Sequence, residues 1–196
     1  MTERTAHVVR NTKETQIELI FNLDGSGKAD IHTGIGFFDH MLNNFVRHGL
    51  FDMTLKVKGD LDVDTHHTIE DTGIVLGEAI REAVGDKKGI VRYGSKILPM
   101  DEALILCALD LCGRPYLVYD LKLDREFVGD LETEMVKEFF YAVSYGAAMN
   151  LHVKQLDGSN NHHIIEGAFK AFAKALDEAV SYDTRITDVL STKGAL

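Results

Sequence analysis

His66-His67-Thr68-Ile69-Glu70 sets two imidazoles and a carboxylate within one helical turn of each other. The chain carries the pattern twice, for His162-His163-Ile164-Ile165-Glu166 repeats it 96 residues further on. Successive residues on a helix turn by about 100°, so adjacent histidines point in different directions and do not easily share one ion. The glutamate, four residues after the first histidine and three after the second, sits near either ring. Each copy therefore offers ligands to two separate ions, and two copies can complete both sites. Imidazole with carboxylate suits Mn²⁺, Fe²⁺ or Zn²⁺ better than Ca²⁺ or Mg²⁺. No cysteine lies close in sequence, which weighs against structural zinc. One copy is weak evidence, but packing needs no such pair twice at matching places.

Other residues join on position. His40 follows Asp39, a possible orienting partner for its ring. Counting back from His162 past one strand reaches Glu138, which corresponds to His40 with a two-residue difference in spacing. Glu14 stands at a strand start and, taken alone, reads as a solvated edge carboxylate. His48 with Gly49 makes a helix end and takes no catalytic role. His152 has no counterpart, since Lys56 stands at its matching position, and reads as a strand-surface residue.

The elements that must carry these residues repeat too. Ile17, Leu19 and Phe21 alternate with polar neighbours in the second of two strand-like runs within residues 3–22. Asp24-Gly25-Ser26-Gly27 predicts a turn into residues 28–33 as the return strand of a hairpin. Phe37, Phe38, Met41, Leu42 and Phe45 predict a helix over 37–48, followed by a strand over 51–60. The first His-His-x-x-Glu opens a helix to Val84, with Gly85 as its stop. Strands follow at 90–98, at 103–111 (apolar enough to be buried on both faces) and at 116–121. A helix over 132–149, a strand over 151–156 and a helix from the second motif to Tyr182 complete the chain. Each half reads ββαβα, and Thr54-Leu55-Lys56-Val57 matches Asn150-Leu151-His152-Val153 at the same displacement of 96. The expectation is a single α+β domain, an α/β sandwich over 1–196. It consists of two fused repeats, about 1–90 and 91–196, each a mixed four-stranded sheet with helices on one face.

Composition bounds the function. Lys+Arg 21 against Asp+Glu 31 gives a net charge of −10, which argues against a nucleic-acid binder. The longest apolar run, 103–109, is too short to span a bilayer, and no apolar run of signal-peptide length follows Met1-Thr2-Glu3-Arg4. The expectation is a cytoplasmic protein with no membrane partner. Cys107 and Cys112 read as reduced core thiols.

These residues resemble the imidazoleglycerol-phosphate dehydratase family. The resemblance covers essentially the whole chain: Leu23-Asp24-Gly25-Ser26-Gly27, Thr33-Gly34-Ile35-Gly36-Phe37-Phe38-Asp39-His40-Met41-Leu42, Asp64-Thr65 with the first motif, Gly113-Arg114-Pro115-Tyr116-Leu117, and Asn161 with the second. It implies two Mn²⁺ ions per active site, with ligands His40, His66, His67, Glu70, Glu138, His162, His163 and Glu166. Glu138 stands where some members have histidine, and Leu190 where proline is common. It further implies substrate contacts from Glu14, Arg92, Arg114, Lys170, Ser191, Thr192 and Lys193, and a closed homo-oligomer of 24 subunits with shared active sites. The implied reaction removes water from D-erythro-imidazoleglycerol phosphate in L-histidine biosynthesis, through a metal-bound imidazolate. Glu14 is the expected acid/base; Glu70 and Glu166 belong to the catalytic centre primarily as ligands. The cations make physical sense for a phosphate monoester: arginines give bidentate hydrogen bonds and lysines act as point charges. Two rival readings are a binuclear hydrolase of small phosphate esters, which would release inorganic phosphate, and a metal-storage cage, which would take up far more metal.

Overall fold

A computed structural model describes residues 4–196; Met1-Thr2-Glu3, read above for targeting, lies outside the described residues. The first half runs β1 (Thr5–Asn11), β2 (Thr15–Asn22), β3 (Ala29–His32), α1 (Gly36–Gly49), β4 (Asp52–Gly59) and α2 (His66–Val84). The second runs β5 (Tyr93–Met100), β6 (Ala103–Asp110), β7 (Tyr116–Asp120), a small hairpin of β8 (Phe127–Val128) and β9 (Leu131–Glu132), α3 (Met135–Gly146), β10 (Asn150–Asp157) and α4 (Asn161–Val180). The sheets have orders β1-β2-β4-β3 and β5-β6-β10-β7, one path followed twice. The duplication stands, with each half βββαβα rather than ββαβα.

The third strand explains a correction. Residues 28–33 are not the hairpin partner of β2. β4 pairs with β2 along its whole length, Thr15 opposite Gly59 through Asn22 opposite Asp52, and β3 lies parallel on the far edge of β4. Eight residues of β4 satisfy the ladder of β2, whereas β3 offers four. The 24–27 turn docks on the start of β4: Asp52 Oδ1 accepts from the Ser26 and Lys28 N–H groups, and Gly27 N–H donates to Phe51 O. Two further expectations shift. β6 buries Ala103, Ile105, Cys107 and Leu109, but Leu104, Leu106 and Ala108 are only half-covered, so one face faces the core. The strand expected from Ile90 begins at Tyr93, because Val91 and Arg92 donate their N–H groups to Ser181 O and Ala179 O at the end of α4.

Helices cover one face of each sheet: α2 packs on β1 and β2, and α4 on β5 and β6. The helices also pack on each other across the halves, α1 against α4 and α2 against α3. Aromatic rings fill the junction, Phe45 stacked on Phe172 at 5.2 Å and Phe38 edge-on to Phe139 at 5.3 Å. Gly77 and Gly146 let α2 and α3 touch backbone to backbone; a Cβ on Gly77 would stand 2.6 Å from Val143 O. Leu50, not Gly49, takes the left-handed position after α1, while a Cβ on Gly49 would stand 2.1 Å from the Phe51 ring. That glycine serves packing rather than the helix stop.

Candidate metal centre and anion cleft

Both motifs occupy first helical turns. Asn160 caps α4, its side chain accepting from His162 N–H at 3.0 Å and His163 N–H at 3.4 Å. Asp64 Oδ1 accepts from His66 N–H at 2.8 Å at the start of α2. Such anchoring spends the free N–H groups of the first turn and fixes where the rings begin.

Helix pairing across the halves then gathers the ligands. His40 on α1 reaches α4: its Nε2 lies 3.4 Å from Glu166 Oε2, and His162 Nε2 lies 3.0 Å from the same oxygen. The three ligand atoms all lie within 4.8 Å of one another. Glu166 is buried, which works against its charge, but bonds from Lys170 and His162 overcome this and leave its carboxyl below the usual range. Lys170 Nζ stands 2.5 Å from Glu166 Oε1. Glu138 stands on α3, which packs on α2, and lines a small pocket with Tyr119, Leu123 and Lys137. His66 Nε2 is 3.9 Å from Glu70 Oε2. Tyr141, one turn beyond Glu138, has its phenol pushed up by its bond to Tyr145 and by the charges of Glu138 and Glu70. The His40 group thus combines one residue from the first half with a His–Glu pair from the second, whereas among the described residues Glu138 forms no such group with His66 and Glu70. The expected link from Asp39 to His40 is absent: Asp39 Oδ1 accepts from Thr33 N–H and its hydroxyl, at 2.9 and 2.5 Å, and fixes the entry to α1.

His67 and His163 point away from these groups, as the 100° turn requires. Their Nδ1 atoms meet Asp60 Oδ2 at 2.9 Å and Glu102 Oε2 at 2.7 Å. The bonds raise both rings above the ordinary imidazole value, and Glu102 is drawn down to about 2. A carboxylate on Nδ1 leaves the Nε2 lone pair facing outward, the arrangement of metal-ligating histidines. Glu14 Oε1 lies 3.8 Å from His67 Nε2, beyond a hydrogen bond, and Asp101 Oδ2 lies 3.6 Å from His163 Nε2. Imidazole and carboxylate donors suit a transition-metal ion; Asp60 holds His67 through Oδ2, while its buried Oδ1 has no hydrogen-bond partner. Neither Asp60 nor Glu102 was found from sequence. Both lie outside the motif, and Asp60 is hidden in an acidic loop whose charges look solvated.

Five of the seven expected substrate contacts converge elsewhere. Arg92, Arg114, Ser191, Thr192 and Lys193 line a cleft of about 840 Å³ beneath the C-terminal tail, joined by Arg185. Arg92 spends Nε and Nη2 on Asp110, at 2.7 and 3.0 Å, and Nη1 on Leu190 O at 2.6 Å. Its role is to pin the tail, with its remaining Nη hydrogens left for an anion. Glu14 and Lys170 are not in the cleft; they stand with the metal residues. Arg92 N–H bonds Ala179 O, whereas His162 opens the same helix. A rise of about 1.5 Å per residue separates these points by about 25 Å, far more than a small phosphorylated imidazole spans.

Comparison with known proteins gives one answer. The family model for imidazoleglycerol-phosphate dehydratase matches residues 33–176. An imidazoleglycerol-phosphate dehydratase of Lachnoclostridium phytofermentans is 65% identical over 193 residues, covering 98% of each chain. One from Acetivibrio thermocellus is 61% identical over 194 residues, covering 99% of this chain and all of its own. The crystal structure of the Pyrococcus furiosus enzyme superposes with a TM-score of 0.84 at 38% identity, covering 96% of this chain and 100% of that one. The Staphylococcus aureus enzyme gives 0.83 at 38% identity, with 91% and 99% covered. Sequence and fold agree from end to end, and the chain belongs to the imidazoleglycerol-phosphate dehydratase family.

Proposed function

We propose that the chain carries out its family's reaction at a site holding two Mn²⁺ ions: loss of water from D-erythro-imidazoleglycerol phosphate to give imidazole-acetol phosphate, in L-histidine biosynthesis. The observation that carries this reading is the cross-half grouping of His40 with His162 and Glu166; Glu138, His66 and Glu70 are their counterparts by sequence duplication. His40, His162 and Glu166 would hold one ion, and His66, Glu70 and Glu138 would contribute to the other. His67 and His163 present Nε2 to complete coordination. Bound ions supply Lewis acidity to the substrate's imidazole ring.

The proton to be removed is not next to a carbonyl, so it is barely acidic until the ring withdraws electrons. Glu14 takes that proton and returns one, working beside His67. Glu70 and Glu166 act as ligands, and Lys170 keeps Glu166 ionised. Arg114, Ser191, Thr192, Lys193 and the free edge of Arg92 hold the phosphate. The 25 Å between cleft and ions supports sites shared between subunits of a homo-oligomer, for which we take the family's 24-subunit cage, in the cytoplasm.

Removing metal with a chelator abolishes turnover, and adding Mn²⁺ restores it, with no inorganic phosphate released at any stage. Turnover by a verified metal-free sample overturns the two-ion site. Phosphate release would favour the hydrolase instead.

A further inference from the structure

We infer that Asp71 is a positioning residue: it latches the β1–β2 turn to α2 so that Glu14 stands beside the Nε2 side of His67. The inference rests on the reading of Glu14 as the acid/base.

The turn is built before the latch. Thr12 Oγ1 accepts from Glu14 N–H at 3.1 Å and Thr15 N–H at 2.9 Å, and Thr12 N–H donates to Thr15 O at 2.8 Å. These bonds shape the loop but tie it to nothing outside itself. Beyond the pairing of Thr15 with Gly59 on β4, the tie to α2 is Asp71. Thr15 is 1% exposed and Asp71 5% exposed. The Thr15 hydroxyl donates to Asp71 Oδ2, and Arg10 Nε donates to Oδ1 at 2.9 Å. A buried carboxylate is costly unless both oxygens are satisfied, and both partners here come from the hairpin. Asp71 follows Glu70 directly and lies one turn beyond His67 on the same helix. The latch therefore joins the residue next to Glu14 to the helix that presents the histidine.

The second half lacks the latch. Ile17 and Leu19 face Val57 and Leu55 across the sheet, as Cys107 and Leu109 face Val153 and Leu151. On this register Ile105 corresponds to Thr15, and the motif places Gly167 at the position of Asp71. A Cβ on Gly167 would stand 2.9 Å from Ile105 Cγ1, so an apolar contact replaces the hydrogen bond. There the turn is shorter, and Glu102 ends on the Nδ1 side of its histidine, its Oε1 accepting from Asn160 N–H at 2.8 Å. The unlatched turn supports the ring through Glu102 and also sets Asp101 Oδ2 3.6 Å from Nε2; only the first turn is tied to its helix through a buried carboxylate.

The test compares Asp71→Asn, Thr15→Val and Thr15→Ser with the parent, measuring kcat, KM, bound Mn²⁺ and thermal midpoint, with Glu14→Gln run alongside. Asp71→Asn and Thr15→Val are expected to lower kcat about 10- to 100-fold, with KM and Mn²⁺ content within about twofold of the parent. Thr15→Ser, which keeps the hydroxyl, restores the rate. Should Asp71→Asn fail to fold, Thr15→Val decides alone. Parental kcat in Thr15→Val, or joint loss of kcat, KM and bound Mn²⁺, overturns the latch. Full activity in Glu14→Gln overturns the acid/base reading itself, and the latch with it; loss in Glu14→Gln with parental Thr15→Val removes the latch alone.

Discussion

At the scale of single residues, the proposed metal centre depends on groups that would not themselves touch an ion. Asp60 and Glu102 come from unrelated places, the end of β4 and the β5–β6 turn, yet perform one task on His67 and His163. Each fixes the proton on Nδ1 and the lone pair on Nε2. Replacing either with an amide keeps the shape and removes the charge. Asp60→Asn and Glu102→Gln should each weaken Mn²⁺ binding by about 10- to 100-fold, measured by equilibrium dialysis of folded protein. Unchanged affinity in both would mean that the carboxylates do not tune the rings. The histidines were legible because their types and spacing carry the chemistry. Their supports were not, because acidic residues abound in a chain of charge −10, and only the fold says which of them meets a ring.

At the scale of elements, helices and central strands were readable from periodicity, and partner choice was not. The turn after β2 looked like an ordinary hairpin, but the longer ladder of β4 displaced β3 to the edge. The start of α1 gives the same lesson. Ile35 offers no side-chain cap, so the cap comes from the β8–β9 hairpin of the other half. Asp130 accepts from Gly36 N–H at 2.6 Å and Phe37 N–H at 2.8 Å. No local signal could announce a cap 94 residues away. It also places His40, which opens the second turn of that helix. Asp130→Ala is expected to cost about 1 kcal/mol, with a range of about 0.5–2, read from denaturant unfolding. It should weaken Mn²⁺ at the His40 half-site more than at the Glu138 half-site, seen as two unequal steps in a metal titration. Equal weakening of both would show that the hairpin merely stabilises the fold.

At the scale of the whole molecule, one chain holds the parts of a site without assembling it. The proposed ligands His40, His162 and Glu166 gather at the start of α4, and the candidate anion cleft lies at the other end, about 25 Å away by helical rise. The outward sheet faces carry apolar side chains that a lone chain leaves in water: Val9 is 55% exposed and Ile97 60%. Such surface is normally covered by a partner. Both features follow if a neighbour's cleft meets this chain's ions. The consequence can be tested by mixing subunits. His162→Ala breaks the metal centre and leaves the cleft; Arg114→Ala breaks the cleft and leaves the metal centre. Each pure assembly should be nearly inactive. Dissociated, mixed in equal amounts and reassembled, they should recover up to about a quarter of parental activity, because a site drawing one part from each of two subunits finds both intact with that chance. If both parts came from the same chain, no mixture could exceed its components, and an inactive mixed assembly of normal size would exclude shared sites.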